Sequence, residues 1–286
     1  MIGLTRPMTR GAHAVVTGAG SGIGRAFAIE LARRGARVVC SDIDPTTAEE
    51  TVDLVHAAGG TATAVRCDVG SSEEVEHLRD RSVEWFGGPP TLLVNNAGIG
   101  AGGHSVGNAT LSEWERTLRI NLWGVIHGCH HFLPVMREAR RGGVINVASA
   151  AGFAAGPRMA AYNVSKAGVM SLSETLAAEL QGSGLRVTVL CPTFVRTNIF
   201  GGDLIESAAA GAAARIADVV GMSPEKVARM TLDGHDKGRL YVVPQLDARA
   251  IWLSKRLTPT THARIGGLLA RVGPFADESA HEGAVR

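Results

Sequence analysis

The chain has 286 residues, 45% hydrophobic and 20% charged, the balance of a soluble globular protein with a large core. A formal net charge of +2, with Lys and Arg dispersed, provides no field of the kind that draws nucleic acid or an anionic membrane. Cys40, Cys67, Cys129 and Cys191 form no Cys-x-x-Cys pair, the opening Met1–Pro7 has no signal-peptide h-region, and no run of 18 uncharged apolar residues follows, so a reducing, cytoplasmic setting is expected.

The first predicted element is a short apolar strand, His13-Ala14-Val15-Val16. It runs into Thr17-Gly18-Ala19-Gly20-Ser21-Gly22-Ile23-Gly24 and then a helical pattern through Phe27, Ile29 and Leu31. A glycine turn between a strand and a helix is the setting in which such a motif binds a diphosphate. Gly18 makes the tight turn, Gly22 admits close backbone approach and Gly24 lets the helix pack, with Ser21 and Ile23 completing the expected contacts. A second strand, Ala36 to Ser41, ends at Asp42, about twenty residues on. A carboxylate there accepts hydrogen bonds from adenosine ribose hydroxyls and repels a 2′-phosphate, favouring NAD over NADP, or it begins the turn before Pro45. Residues 45–58 read as a helix and Thr61 to Arg66 as a third strand ending in Cys67-Asp68-Val69. Asp68 is placed to meet an adenine edge, with Val69 beside it, and equally to cap the helix opened by Ser71-Ser72-Glu73-Glu74.

Thr91 to Val94 is a buried strand followed by Asn95-Asn96-Ala97-Gly98. Gly103-His104-Ser105-Val106-Gly107 matches a hydrolase nucleophile elbow in letters only, because Ile99 to Gly103 intervenes after the strand and no helix begins at Ser105. A long helical pattern runs from Trp114 to Arg140. His127 and His131 lie one turn apart on it with no partnering cluster, so no metal site is expected. After Gly142-Gly143, the run Val144-Ile145-Asn146-Val147-Ala148 predicts another strand, with Ser149 at its carboxyl end, where open α/β sheets bind ligands. Tyr162 and Lys166 then stand one turn apart on a helix, so a phenol and an ammonium enter one crevice and the ammonium favours the phenolate. That helix, about Ala160 to Gln181, has a ridge of Val169, Leu172, Leu176 and Leu180 beside small residues.

Leu185 to Leu190 predicts a further strand, ending in Cys191-Pro192-Thr193-Phe194-Val195-Arg196-Thr197. The Ala- and Gly-rich segment at about 198–222 is expected to be a lid, Arg239 to Pro244 a last strand, about 246–272 a helical extension, and the end after Pro274 frayed. The alternation predicts one α/β domain over 1–286, doubly wound and Rossmann-type, with about seven mostly parallel strands flanked by helices.

Thr17-Gly18-x-x-x-Gly22-Ile23-Gly24, Asn95-Asn96-Ala97-Gly98, Asn121, Ser149 and Tyr162-x-x-x-Lys166 together resemble the short-chain dehydrogenase/reductase family, in its order and spacing from about residue 11 to 200. The resemblance implies that Asn95, Ala97 and Gly98 support the sheet and contact the cofactor ribose, and that Asn121 distorts its helix and holds a proton-relaying water. It also implies contacts to the nicotinamide from Pro192, Val195 and Thr197, although Thr193 stands where the family often has glycine. On this likeness the expected activity is NAD-dependent hydride exchange between a secondary alcohol and its ketone. Tyr162 would be the base, Lys166 would tune it and bind the nicotinamide ribose, and Ser149 would orient the oxygen. Phe153, Phe194, Ile199, Phe200, Leu204 and Ile205 suggest an apolar pocket and a hydrophobic alcohol or ketone, with Ser149, Phe153 and Tyr162 touching it. Family helices of this kind pair subunits, implying a homodimer or homotetramer. The competing reading is a non-catalytic dinucleotide-binding sensor or scaffold, which has no evident need of Ser149, Tyr162 and Lys166 together.

Overall fold

A computed structural model describes residues 7–272. The opening Met1–Arg6 and the polar end after Pro274 lie outside the described residues, as do the side chains of Phe200 and Leu269. The chain alternates β1 (His13–Thr17), α1 (Gly22–Arg33), β2 (Arg37–Asp42), α2 (Pro45–Ala57), β3 (Thr61–Arg66), α3 (Ser72–Phe86) and β4 (Leu92–Asn95). It continues with α4 (Leu111–Leu118), a π-helical turn (Arg119–Trp123), α5 (Gly124–Ala139), β5 (Gly142–Val147), α6 (Ala151–Ala154), α7 (Ala160–Glu179) and β6 (Leu185–Leu190). A 3-10 turn (Asn198–Gly201), α8 (Ser207–Val220), α9 (Pro224–Asp236), β7 (Tyr241–Val242), α10 (Leu246–Leu257) and α11 (Pro259–Val272) complete it.

The seven strands form one sheet in the order β3-β2-β1-β4-β5-β6-β7, and every pairing is parallel. Side chains alternate between two helical layers because the strand period is two. Val15, Val39, Leu93 and Val144 face α3, α5 and α7, where Leu78, Phe132 and Val169 are fully buried. Val16, Val38, Val94 and Ile145 face the other way, onto Phe27 and Leu31 of α1 and Leu232 of α9. Burial of one such side chain stabilises by about 1.5–3 kcal/mol, so two covered faces hold the sheet rigid behind its loops. The doubly wound Rossmann-type fold reverses direction between β1 and β4, whose carboxyl ends therefore flank a crevice.

Local chemistry fixes several helix starts. Asp44 accepts from Thr46 N at 2.9 Å ahead of Pro45, Ser71 accepts from Glu74 N at 3.2 Å, and Thr110 with Glu113 forms a capping box. The long helix expected from Trp114 is two helices joined by the π-helical turn, and the last strand, expected over 239–244, has two residues, Tyr241 and Val242. Periodicity sees neither feature, since a π turn inserts without altering the apolar stripe for long. The helical extension after residue 246 is a pair, α10 and α11, broken at Pro259, because proline restricts the residue before it to extended backbone.

Candidate active site

The glycine turn is held from both sides. Asn96 Nδ2 donates to Thr17 O at 2.9 Å and to Gly18 O at 3.1 Å, while Thr17 Oγ accepts from Asn96 N and Ala97 N. Gly18 and Gly22 have φ of 62° and 52°, in the left-handed region that favours glycine. A Cβ on Gly24 would stand 2.0 Å from Gly18 O, and one on Gly22 would meet Thr197 Cγ2 at 3.0 Å. The turn thus lies between Ala97 and the 195–197 segment with no room for side chains. Ser21 occupies the N-cap of α1 without a side-chain cap bond, unlike the caps of α2, α3 and α4, so the first amides of α1 are not taken by a capping side chain. Amides at a helix start suit a diphosphate.

Asp42, at the end of β2, accepts from Gly20 N at 2.8 Å through Oδ2 and from Asp44 N at 3.2 Å through Oδ1. It therefore borders the glycine turn and shapes the bend before Pro45, as the second sequence reading expects. Asp68 does not cap α3; Ser71 does. Its Oδ1 accepts from Gly70 N at 2.9 Å and its Oδ2 pairs with Arg119 Nη1 at 2.9 Å. Burial pushes the Asp68 carboxyl up, but the hydrogen bonds from Arg119 and Gly70 outweigh it and leave the group below the usual carboxylate range.

Asn95 is placed differently from the expectation that put it on a ribose. Its side chain is buried behind β4, donating to Asn146 Oδ1 at 2.9 Å, and Asn146 donates to Ser173 Oγ at 3.0 Å. Strand alternation points it at α5 rather than at the crevice, where a Cβ on Gly128 would stand 2.1 Å from its Oδ1. The signal for this buried chain was Asn146 inside an apolar strand. Ala97 and Gly98 do lie at the crevice: a Cβ on Gly98 would come within 3.0 Å of Asn121 Oδ1 and 3.4 Å of Lys166 Nζ.

Asn121 sits within the π-helical turn, fully buried, with Oδ1 accepting from Ile99 N and Nδ2 donating to Ile99 O, both at 2.8 Å. The extra residue of a π turn lets Asn121 reach the loop after β4 while its neighbours remain helical. Lys166, 3% exposed, donates from Nζ to Val147 O at 3.1 Å and lies 5.6 Å from the Tyr162 ring centroid. Ser149 shares a hydrogen bond with the Tyr162 phenol, and its Oγ also accepts from Ala151 N at 3.1 Å. Ser149, Tyr162 and Lys166 therefore share one crevice with Asn121 and Gly98.

The protein groups alone do not lower the Tyr162 phenol. Burial pushes it up, and the Ser149 hydrogen bond, pulling down, does not offset that. Burial likewise pushes the Lys166 ammonium down, to about 8, and the expected lowering of Tyr162 by Lys166 is not present at this separation.

Phe153 is not a wall of this crevice. It is buried in the core and stacks on Trp252 of α10 at 5.9 Å, because the sheet face it meets is closed by the C-terminal extension. The segment after Thr197 instead brings Ile199 and Ile205 over Gly100, where a Cβ would stand 2.6 Å from Ile205 Cδ1. It is docked by Gly102 N donating to Leu204 O at 3.0 Å, Glu206 N donating to Gly102 O at 3.1 Å, and an Arg116–Asp203 ion pair at 2.7 Å. Val195 bridges Met222 as a parallel pair, which carries the 192–197 segment across the crevice, and Thr193 N donates to Gln245 Oε1 at 3.3 Å. Ser105 lies in neither strand nor helix, just before a turn at Val106, while His127 and His131 contact Val69 O and Ser72 Oγ.

A profile of the short chain dehydrogenase family matches residues 12–204, and the chain belongs to that family of oxidoreductases. The chain is 42% identical over 185 residues to "probable oxidoreductase EphD" of Mycobacterium tuberculosis, covering 64% of this chain and only 31% of that protein's length. It is 34% identical over 184 residues to a cyclohexanol dehydrogenase of Acinetobacter sp., covering 64% of this chain and 73% of the other. The solved structure of a short chain dehydrogenase/reductase from Burkholderia phymatum in complex with NAD superposes with a TM-score of 0.82 at 33% identity, covering 89% of this chain and 96% of that one. Among the described residues no helix is long and apolar enough to cross a membrane.

Proposed function

We propose that the chain interconverts a hydrophobic secondary alcohol and its ketone using NAD. The observation that carries this reading is the convergence of Ser149, Tyr162 and Lys166 on one crevice beside a glycine turn that a Cβ would obstruct. The residues fit a nicotinamide dinucleotide. The start of α1 would meet the diphosphate, Asp42 the adenosine ribose, Asp68 and Val69 the adenine, and Lys166 the nicotinamide ribose. When bound, that cofactor supplies a hydride acceptor in oxidation and a hydride donor in reduction.

Tyr162 takes the alcohol proton during oxidation and returns it during reduction. Ser149 holds the substrate oxygen through its hydroxyl. With a nicotinamide cofactor bound beside it, the Lys166 ammonium would stabilise the phenolate that forms, and a water held at Asn121 would carry the proton onward. Ile199, Leu204 and Ile205 of the lid keep the crevice apolar, which favours a carbocyclic or long-chain alcohol. The kinship with a cyclohexanol dehydrogenase supports the same class. The reading extends to a cytoplasmic homodimer or homotetramer, and the exposed Trp123, just before α5, and Val164 of α7 lie where those helices would pair. The test is NADH formation across a panel of secondary alcohols that includes cyclohexanol. Tyr162→Phe is expected to reduce turnover at least about 100-fold; undiminished turnover contradicts the role of Tyr162. NADP binding as tightly as NAD contradicts that of Asp42.

A further inference from the structure

We propose that Arg119 is a positioning residue that ties the adenine end of the crevice to the turn carrying Asn121, an inference that rests on the cofactor reading above. Arg119 is the first residue of the π-helical turn Arg119–Trp123, two positions before Asn121. Its guanidinium reaches out of that turn to Asp68 Oδ2 at 2.9 Å and lies against Gly70, where a Cβ would stand 2.1 Å from Nη1. Gly70 is the space that lets this contact form. The other Asp68 oxygen accepts from Gly70 N, so the carboxylate is held at both ends with lone pairs left to accept from an exocyclic amine.

Two further contacts fasten the same loop to the first turn of α5, which continues directly from the π-helical turn. A Cβ on Gly124 would stand 2.7 Å from Val69 Cγ2, and His127 Nδ1 lies 3.0 Å from Val69 O. At its inner side the turn is fixed to the loop after β4 by the two Asn121–Ile99 bonds, at 2.8 Å each. The segment from Asp68 to Gly70, the π turn and Ile99 therefore form one connected path. A ligand that orders Asp68 also orders Ile99, although the two stand on different strands' loops. An exposed ion pair alone contributes little to stability. The position of Arg119 at the head of the turn gives it a consequence beyond that contribution.

The probe is ADP, which has the adenine and diphosphate but no nicotinamide ribose and so cannot touch the proton-relay end directly. Affinity is read by calorimetry and exchange of the Ile99 amide by hydrogen exchange, in the whole protein. ADP at saturation is expected to slow Ile99 exchange in the wild type by at least about threefold. Arg119→Met is expected to weaken ADP about two- to fivefold and, at saturating ADP, to abolish the slowing at Ile99. Arg119→Lys is expected to restore part of both, and Asp68→Asn to behave as Arg119→Met, with no added effect in the double variant. Retained protection of Ile99 in Arg119→Met overturns the coupling, whether or not ADP affinity falls. A wild type that binds ADP without any change at Ile99 overturns this inference alone, and a wild type that binds neither ADP nor NADH overturns the cofactor reading and the inference with it.

Discussion

Lys166 is an ammonium kept out of water, and its burial has a measurable cost. Burial pushes its pKa down to about 8 from the 10.5 of a free lysine, so between those pH values the unfolded chain holds a proton that the native chain does not. Stability therefore rises with pH through that window, and below about pH 8 the buried charge costs at most about 3 kcal/mol. Lys166→Met is expected to raise the melting temperature at pH 7 while abolishing turnover, with the stability gain shrinking as the pH rises from about 8 to 10.5; a lower melting temperature at pH 7 contradicts the assignment. Such an exchange of stability for function is characteristic of catalytic groups. At this scale the sequence was most informative for Tyr162, Lys166 and Ser149, because helical spacing and a strand's end set which residues can meet. It was least informative for Asn95 and Phe153. Asn95 was assigned from the family likeness and Phe153 from its apolar type, and in the fold Asn95 turns to α5 and Phe153 to Trp252, directions set by strand alternation and by an extension whose packing no local pattern announces.

Among the elements, the glycine turn and the π-helical turn do the positioning. Gly24→Ala would bring a Cβ within 2.0 Å of Gly18 O and 2.5 Å of Asn96 Nδ2, so the turn must move. That substitution is expected to weaken NAD binding by about tenfold or more and to destabilise by about 1–3 kcal/mol, read by calorimetry and urea unfolding. Unaltered NAD affinity contradicts the role given to the turn. The strand–turn–helix order around these glycines was legible because glycine, apolar runs and spacing are local signals. The break at Arg119–Trp123 was not readable from the apolar period and came only from the likeness around Asn121. The reason is physical: the turn is tied by a reciprocal pair of bonds between Asn121 and Ile99, twenty-two residues away. The division of the C-terminal extension at Pro259 was also missed, although proline marks it.

The whole molecule is a parallel sheet covered on both faces, and its alternating strand and helix pattern made that architecture readable throughout, down to the number of strands. A buried polar group far from the crevice gives the fold an acid weakness. His235 of α9 is fully buried against β6, with Nδ1 3.0 Å from Thr188 Oγ and Nε2 without a hydrogen-bond partner, and burial pushes its imidazole down to about 4. From pH 6.5 to 4 the unfolded chain binds a proton that the native chain refuses, so stability falls as the pH is lowered across that range, by up to about 3 kcal/mol. Urea unfolding midpoints are expected to drop over this window in the wild type and to drop less in His235→Gln. Equal slopes in the two proteins contradict the assignment.

The central claim is that Tyr162 becomes the base only when a bound nicotinamide cofactor joins Lys166 beside it. The chain has two tyrosines, and burial with Glu174 pushes the Tyr241 phenol well above the usual range, so tyrosinate absorbance followed against pH reports on Tyr162. Without NAD the phenol is expected to titrate above its ordinary value. With saturating NAD the titration is expected to move down into the range of turnover, and the shift to be absent in Tyr162→Phe and in Lys166→Met. A titration that NAD leaves in place, or a shift that survives Lys166→Met, contradicts the account.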